Sequence, residues 1–386
     1  MRRRGTTLLV AFASAFAWLG CNALLGIESA VFEPDGGGSS SETGPGDEGG
    51  PLRDASSSDA PADAFHPCSN VVTDPFNCGV CGHDCLGGAC AAGVCQPVVI
   101  TVDPGQPKAI AIDATHVYWT NSKTGDVRRA PIAGGVAETI FDGPADTDLG
   151  EGLVRSGADV YFAVNDLDGG VYRCPATGCG AGGPEPVVAP LASPSYVGLA
   201  EGDVLLFSEA FPGGRIGRCT VPCAMGADFV VGSESYPTYV VTSNDSVYWS
   251  TLLPGDLRAS LGGQPAVTLR ATTNSQQLEA RGNELVFAMR GGGMRAMPLD
   301  GGTVRRIHDP ITQTDRFALD GPLVYFNDSS PTDGRILRCP ISGCGDAGTT
   351  MAAKQIRPYA IAVDKTSIYW TNAGDDVSGS IARVAK

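Results

Sequence analysis

Histidine and the common catalytic motifs are scarce in this chain. Only four of its 386 residues are histidine, and no HExxH, GxSxG or GxxxxGK[ST] pattern occurs. The first pattern marks zinc proteases, the second marks serine hydrolases, and the third cradles nucleotide phosphates. The sequence therefore offers no support for these three classes of enzyme and favours a role other than catalysis.

Positive charge and long apolar runs are also in short supply. Lys and Arg total 27 against 42 Asp and Glu, which gives a formal net charge of −15. Binding to nucleic acid needs a basic surface that meets the phosphates, so the composition argues against a nucleic-acid partner. The apolar run Leu8–Leu19 is too short for a comfortable membrane span.

The first 20 residues have the layout of an export signal. Arg2–Arg4 precede the apolar run, which ends in Leu19-Gly20-Cys21. This end resembles the lipobox of bacterial lipoproteins, in which the Cys after a small residue carries lipid. The resemblance implies a lipid anchor on Cys21 as the sole membrane contact. Because Asn22 rather than Asp follows, it also implies the outer membrane or the cell surface. The alternative is an ordinary secretory signal with an incidental cysteine.

Residues 21–66 have the composition of a disordered acidic linker. From residue 28 onward it contains nine acidic residues and one Arg among Gly, Ser, Pro and Ala. Such a segment buries too little apolar surface to fold, and its like charges keep it extended. A coil of this length spans roughly 35 Å, which suits a tether that lifts a domain off a membrane.

Residues 67–96 are predicted to form a small cysteine-rich module held by disulfides. The segment has too few aliphatic residues for a hydrophobic core. Zinc held by Cys78, Cys81 and His83 is the alternative, which export to an oxidising compartment disfavours. The run NCGVCGHDC resembles Stig1-like modules. Six cysteines allow 15 pairings, and the sequence does not choose among them. They are Cys68, Cys78, Cys81, Cys85, Cys90 and Cys95.

Aromatic residues are few, at 7% of the chain, but they recur at a regular interval. Seven copies of an aromatic doublet or its equivalent occur, and successive copies are separated by 38 to 45 residues. A period near 40–45 residues with strand-like runs predicts a β-propeller with four strands per blade. The markers are Trp119, Phe162, Phe207, Trp249, Phe287, Phe326 and Trp370.

Each repeat contains features that fit one blade. A turn pair stands six residues before every marker, and five of the seven pairs have Gly or Asn second, as a tight turn with φ > 0 needs. The strand around the marker is apolar on both faces, as expected where neighbouring blades cover it. We therefore predict an all-β fold, a seven-bladed propeller over residues 97–386. An open β-sandwich or an irregular all-β domain is the alternative.

The two ends of the propeller are predicted to share one sheet. The last repeat stops after its third strand, near Ala382–Ala385, and a spare strand, Pro97–Val102, precedes the first repeat. This N-terminal strand should complete the last blade and close the ring.

Three close cysteine pairs follow the Arg that ends a third strand, in RCPATGC, RCTVPC and RCPISGC. Gly-Gly or a similar turn occupies the same place in other repeats. We therefore predict disulfides that clip the connection between the third and fourth strands, in three equivalent turns. The predicted pairs are Cys174 with Cys179, Cys219 with Cys223, and Cys339 with Cys344.

One face of the ring is predicted to bind the ligand. The connections from second to third strand and from blade to blade share this face, and they read as long and polar. Long loops on a rigid scaffold are common binding sites. The candidate residues on this face are Asn121, Asp148, Asn165, Asp166, Glu209, His308, Asp328 and Asn372.

Two other chemistries remain open. Streptogramin B lyases are seven-bladed propellers with a histidine in the central cleft, and His308 would fill that role in a periplasmic or extracellular lyase or hydrolase. Calcium is an alternative ligand, because carboxylates cluster in two loops. The clusters are Asp142, Asp146, Asp148 and Glu151 in one loop, and Asp166 and Asp168 in the other. No other cofactor is expected.

The repeat resembles the YWTD and NHL-like propeller families, through VYWTN at residues 117–121 and IYWTN at 368–372. The resemblance covers residues 97–386 and implies a propeller with a binding role. The YWTD domains of lipoprotein receptors have six blades, so their ligand residues do not transfer to this chain. We expect a monomer whose partner is a protein, peptide or glycan of the cell surface.

Overall fold

A computed structural model describes residues 68–145, 147–309, 313–314, 316–375 and 378–386. The predicted export signal, Cys21 and the acidic linker lie outside the described residues, and so does Asp146. No helix in the described part of the chain is long and apolar enough to cross a membrane.

The cysteine-rich module is a small disulfide knot with one short hairpin, β1 (Cys90–Ala91) and β2 (Val94–Cys95). Its cysteines pair first with third, second with fifth and fourth with sixth. Cys78 and Cys81 are therefore both in disulfides, and neither offers the free thiolate that zinc needs. The module packs against the last blade of the propeller, where the Arg383 side chain donates to the Leu86 carbonyl at 2.6 Å.

The rest of the described chain consists of strands joined by turns, with two single-turn 3-10 helices at Gly180–Gly182 and Leu261–Gly263. In chain order the strands are β3 (Val98–Val102), β4 (Pro107–Ile112), β5 (His116–Asn121), β6 (Asp126–Pro131), β7 (Glu138–Asp142), β8 (Leu153–Ser156), β9 (Asp159–Val164), β10 (Gly169–Pro175), β11 (Glu185–Leu191), β12 (Pro194–Ala200), β13 (Val204–Glu209), β14 (Pro212–Thr220), β15 (Asp228–Ser235), β16 (Pro237–Ser243), β17 (Ser246–Thr251), β18 (Leu257–Ser260), β19 (Val267–Arg270), β20 (Ser275–Arg281), β21 (Glu284–Met289), β22 (Gly293–Pro298), β23 (Arg305–His308), β24 (Phe317–Asp320), β25 (Leu323–Asp328), β26 (Gly334–Pro340), β27 (Thr349–Gln355), β28 (Pro358–Val363), β29 (Ser367–Asn372) and β30 (Ser380–Ala385).

These strands form seven four-stranded antiparallel sheets, which are the blades of a propeller. Blades 1 to 6 take consecutive strands, from β4–β7 through to β24–β27. Blade 7 combines β28, β29 and β30 with β3, and Val98 lies opposite Arg383 in that pairing. The predicted seven-bladed fold and its closure by the N-terminal strand are confirmed.

The marker aromatics form the centre of each blade. All seven are at the fully buried positions of the second strands, and the three tryptophans are 0% exposed. Each indole N–H donates to an acceptor at or just after the end of the outer strand of the preceding blade. The acceptors are Asp103 at 2.7 Å, Glu234 at 3.2 Å and Gln355 at 3.0 Å. The tryptophans therefore tie neighbouring blades together as well as filling them.

The predicted tight turns have the backbone conformation that the sequence requires. The second residue has positive φ in all five copies with Gly or Asn, including Gly157 at 56° and Asn244 at 51°. The two other copies use an aspartate side chain instead. Asp113 accepts from the backbone N–H of Thr115 at 2.8 Å, and Asp364 accepts from that of Thr366 at 2.7 Å. The same type of turn is therefore stabilised in two ways, by a Gly or Asn with positive φ or by an aspartate side chain that accepts a backbone hydrogen bond.

The ring has two faces, which differ in their connections. We call the face with the first-to-second turns and the third-to-fourth connections the turn face. The loop face carries the second-to-third and blade-to-blade connections. The expectation of long second-to-third loops was wrong for blade 3: the predicted loop Glu209–Gly214 shrinks to residues 210–211, because β14 already begins at Pro212. The longest loop-face connection, residues 143–152, joins blades 1 and 2.

The three propeller disulfides join the same cysteines that the spacing predicts and lie on the turn face. Two of these turns also reach the preceding blade. The backbone N–H of Cys179 donates to Ile140, and that of Cys344 donates to Ile307, both at 2.9 Å. These two disulfides therefore fix turns that link adjacent blades. The three bonds are Cys174 to Cys179, Cys219 to Cys223, and Cys339 to Cys344.

The turn that ends at Cys223 differs from the other two, so the expectation of three equivalent turns was wrong. Its cysteines are four positions apart rather than five. In the longer turns a glycine before the second cysteine, Gly178 or Gly343, has positive φ. The shorter turn has no such glycine, and Cys223 itself adopts a φ of 66°. The Cys223 N–H donates to Thr220 at 2.7 Å, so this turn closes on itself instead of reaching the preceding blade.

Candidate functional site

A sevenfold set of backbone hydrogen bonds organises the loop face around the axis. In every blade, the N–H of the residue after the second strand donates to a carbonyl in the connection that leads into the inner strand. Examples are Ser122 to Gln106 at 3.1 Å and Leu252 to Tyr236 at 2.9 Å. The seven acceptors are Gln106, Asp148, Ser193, Tyr236, Asn274, Gln313 and Arg357. These seven hydrogen bonds hold the connections of the loop face in fixed positions around the axis.

The sequence contains a signal for these seven hydrogen bonds that the spacing of the aromatic markers does not show. In four blades the acceptor residue precedes a proline that begins the inner strand, as in Gln106-Pro107 and Tyr236-Pro237. The prolines stand 12 or 13 residues before the marker aromatic. Their fixed φ and missing N–H suit the first residue of a strand.

Half of the predicted ligand residues are buried supports of the loop face. Four of them occupy one equivalent position, the last residue of the second strand, and their side chains turn into the blade. Glu209 is 0% exposed and accepts from Arg215 at 2.8 Å, and Asp328 accepts from Arg335 at 2.7 Å. The four are Asn121, Glu209, Asp328 and Asn372. Their side chains fix the following connection and are not presented to a ligand.

His308 lies away from the central axis. It is the last residue of β23, an outer strand, rather than part of a loop as predicted. The imidazole is 4% exposed, lies 5.0 Å from the Phe326 ring, and has Nδ1 3.5 Å from the Cys344 sulfur. Burial lowers the pKa of His308. In blade 1 the corresponding place is held by Phe141, which stacks on Phe162. His308 therefore fills an apolar packing position between blades. It is not in the central cleft, where the predicted catalytic role would need it.

Asp148 and Asn165 do meet at the central opening of the loop face. The Asn165 amide donates to Asp148 at 2.6 Å, and both line a cavity of about 510 Å³. Asp166 is exposed beside them and does not line this cavity, and it accepts from the Leu167 backbone N–H at 2.6 Å. The volume lies within the range of small-ligand and peptide side-chain pockets.

A charged cluster forms the floor of this loop-face cavity. The Glu151 carboxylate is bound by the Arg316 guanidinium, by Lys108 at 3.0 Å and by the Tyr359 hydroxyl at 2.8 Å. Arg316 also lies over the Tyr239 ring, 4.8 Å from its centre. The cluster joins the first, fourth, sixth and seventh blades across the axis. We call these five residues the axial cluster.

The cluster sets the electrostatics of the floor. Burial raises the pKa of Glu151, but the charges of Arg316 and Lys108 outweigh it and hold the pKa at about 2. Burial raises the pKa of Tyr239 well above its ordinary value. Glu151 is therefore a fixed anion at physiological pH. Together with Asp148, which lies 3.6 Å from Lys108, it balances the charges of Lys108 and Arg316.

The predicted calcium loops are partly engaged in these contacts. Glu151 belongs to the axial cluster, and Asp148 lies 3.6 Å from Lys108. In the described residues, the groups close enough to hold a metal are His308 with Cys339 and Cys344, and Cys78 with Cys85 and Cys95. All of these cysteines are in disulfides. Calcium binding by Asp142, Asp166 or Asp168 stays a prediction.

Apolar side chains stand exposed on the lip of the loop-face cavity. Leu252 and Leu253, in the second-to-third connection of blade 4, line the opening and are 55% and 57% exposed. Leu167, in the equivalent connection of blade 2, is 78% exposed. Polar side chains of Asn274 and Arg290 line the same opening. An apolar lip around a polar floor suits a ligand with both kinds of surface.

Comparison with known proteins supports the fold alone. No protein-family model matches the chain, and no curated protein matches it either. Among solved structures, it is similar to the WD40 β-propeller domain of Doa1, with TM-score 0.57 and 10% identity over 75% of this chain and 97% of that chain. The computationally designed Ika8 protein gives TM-score 0.50 and 10% identity, over 73% and 98%. A chain of a nidogen/laminin complex gives TM-score 0.46 and 15% identity, over 64% and 96%. The chain is a β-propeller, a fold commonly used as a protein-interaction scaffold.

Proposed function

We propose that the loop-face cavity binds a peptide segment of a partner protein. The observation that carries this proposal is the pair of exposed leucines, Leu252 and Leu253, on the lip of a cavity with a charged floor. An apolar side chain of the partner contacts the lip, while its backbone bonds to polar groups such as Asn165 and Asn274. The rigid ring beneath the connections keeps the entropic cost of binding low.

The proposal includes the place where this binding occurs. The predicted export signal and the resemblance to a lipobox support a lipoprotein attached through Cys21 to the outer membrane or cell surface, with residues 21–66 as the tether. We propose that it acts as a monomer. Palmitate labelling in the producing cell is expected for the wild-type chain and absent for Cys21→Ser. Equal labelling of both chains would contradict the anchor while leaving the binding site open.

A charge on the lip should weaken peptide binding strongly. Peptides selected from a displayed random library against the chain from residue 21 are expected to bind Leu252→Glu at least tenfold more weakly than wild type, because the substitution puts a carboxylate at an apolar contact. Affinities are measured by fluorescence anisotropy with the selected peptides.

The matched control is Val136→Glu, the same kind of change on the turn face, where Val136 is 86% exposed. It should leave affinity unchanged. An equal loss in both variants, or none in Leu252→Glu, would count against the loop-face cavity. If a parallel glycan array gives binders and the peptide library gives none, the partner is a glycan instead of a peptide.

A further inference from the structure

A second cavity opens on the turn face, between the inner strands of blades 3, 4 and 5. Its volume is about 670 Å³, and it is lined by apolar side chains such as Leu206 and Val240 together with Glu279 and Tyr196. Tyr196 packs on Tyr239 of the loop-face cavity, with ring centres 4.7 Å apart. The tyrosine pair therefore stands between the two cavities, and the turn-face cavity is a separate site.

Glu279 presents a carboxylate to this cavity without a bonded partner. It lies on β20, the inner strand of blade 5, and its side chain forms no hydrogen bond or ion pair within the described part of the chain. Burial raises its pKa to about 7, and the nearby charge of Arg281 opposes this rise only in part. The carboxylate is therefore available to a ligand that enters the cavity.

Tyr196 faces the same cavity from the opposite wall. It lies on β12 of blade 3, and its hydroxyl likewise forms no hydrogen bond among the residues that the structure covers. Burial raises the pKa of Tyr196, and the negative charge of Glu279 raises it further. An acceptor carboxylate and a phenol thus converge on one space from two blades.

The chemistry of these two groups selects the ligand. A primary ammonium offers three donors and a positive charge, and it is attracted to both a carboxylate and an aromatic ring. Leu199 and Val204 in the same lining offer contacts for an alkyl stem. We propose that the turn-face cavity binds the primary ammonium of an alkylamine, either a small molecule or a lysine side chain, through Glu279 and Tyr196.

Binding should strengthen as pH rises, because only ionised Glu279 attracts the cation. Other charged groups around the cavity are Glu201 and Arg218 in its lining, Arg281 beside Glu279, and Arg316 near Tyr196. The interval from pH 6 to pH 8 spans the pKa of Glu279. With a pKa of about 7 for Glu279, its ionised fraction rises about tenfold over this interval, and so should the affinity.

The test uses the oxidised chain from residue 21 with n-butylammonium as the probe, and affinity is read from NMR titration. We expect at least tenfold weaker binding to Glu279→Gln at pH 8, and about tenfold weaker binding to wild type at pH 6 than at pH 8. Neutral n-butanol should bind no better to wild type than to the variant. Nα-acetyl-lysine amide tests whether the ligand is a lysine side chain. If it binds at least as tightly as n-butylammonium, the ligand is a lysine side chain; if it binds more weakly, the ligand is a small amine.

Glu138→Gln is the matched control, since it removes the same charge from an exposed position on blade 1. It should bind n-butylammonium as wild type does. Glu279→Gln replaces a carboxyl by a neutral group of the same shape and is expected to fold, which circular dichroism checks. Equal affinity of folded Glu279→Gln and wild type at pH 8, or an affinity independent of pH, would overturn the proposal. Those results would leave the loop-face site unaffected.

Discussion

A chain shortened to begin at Asp103 is expected to lose cooperative unfolding, because it lacks the strand that closes the ring. β3 supplies the outer strand of blade 7 and pairs with β30 along Val98–Val102. Ile100 in this strand is 5% exposed and packs in a core cluster with Trp119 and Ile381. The truncation therefore opens the junction between the first and last blades.

The expected loss is comparable with the whole stability of a domain. Removing a buried Ile costs about 2–5 kcal/mol, and each lost strand hydrogen bond adds about 1 kcal/mol. The total is of the same order as the 5–15 kcal/mol that holds a typical domain folded. Urea unfolding followed by tryptophan fluorescence should show a broad transition at low denaturant.

The control is a chain that begins at Pro97, which keeps β3 and lacks both the tether and the disulfide module. It should unfold cooperatively. Its free energy of unfolding should fall by less than that of the chain from Asp103, because it loses only the contact between the module and Arg383. If both truncated chains unfold with the same midpoint and slope, closure by β3 contributes nothing and the ring is held by other contacts.

The repeat made the fold predictable because a blade is a local unit. The aromatic marker, the tight turn and the apolar second strand all lie within one repeat, so the sequence shows each blade directly. The closure of the ring could be predicted from the number of strands. The last repeat lacked a fourth strand, and the strand Pro97–Val102 belonged to no other repeat. The disulfide turns were equally local, because each cysteine pair is separated by only four or five positions.

The loop face was less predictable because its polar residues look alike in sequence. Asn121 and Glu209 seemed free to meet a ligand, yet each is 0% exposed. Their partners, Asp126 and Arg215, lie in the strand that follows, and only the register of the hairpin brings them together. His308 was misplaced for a related reason, because β23 continues one step further than the sequence pattern indicates.

The axial cluster gave no signal in the sequence at all. Glu151 is 165 positions from Arg316 and 208 from Tyr359, and only the closed ring brings these residues together. No local pattern marks such a cluster, because each residue stands in a different blade or connection. Its members also differ in type, so a search for repeated residues passes over them.

Arg316→Met is expected to lower the free energy of unfolding by about 3 kcal/mol at pH 7, at the low end for a buried pair. The substitution leaves the Glu151 carboxylate, whose side chain is 27% exposed, short of its main counter-charge. The Arg316 side chain is only 7% exposed. Arg173→Met is the control, since its partner Glu185 is 64% exposed and such surface pairs contribute about 1 kcal/mol or less. Both variants are compared with wild type by urea unfolding.

The same substitution should remove part of the acid sensitivity of the protein. The pKa of Glu151 is held at about 2 in the folded chain, against an ordinary 4.5, so this group stabilises the fold above pH 4.5. That contribution, about 3 kcal/mol, is lost as the pH falls from 4.5 towards 2. Without Arg316, the folded-state pKa of Glu151 rises and most of this contribution is lost, although Lys108 and Tyr359 still bind the carboxylate. The stability difference between wild type and Arg316→Met should therefore shrink between pH 7 and pH 2.5. A difference that stays constant over this range would show that Arg316 acts through packing on Tyr239 and Tyr359, and that its charge does not hold the cluster together.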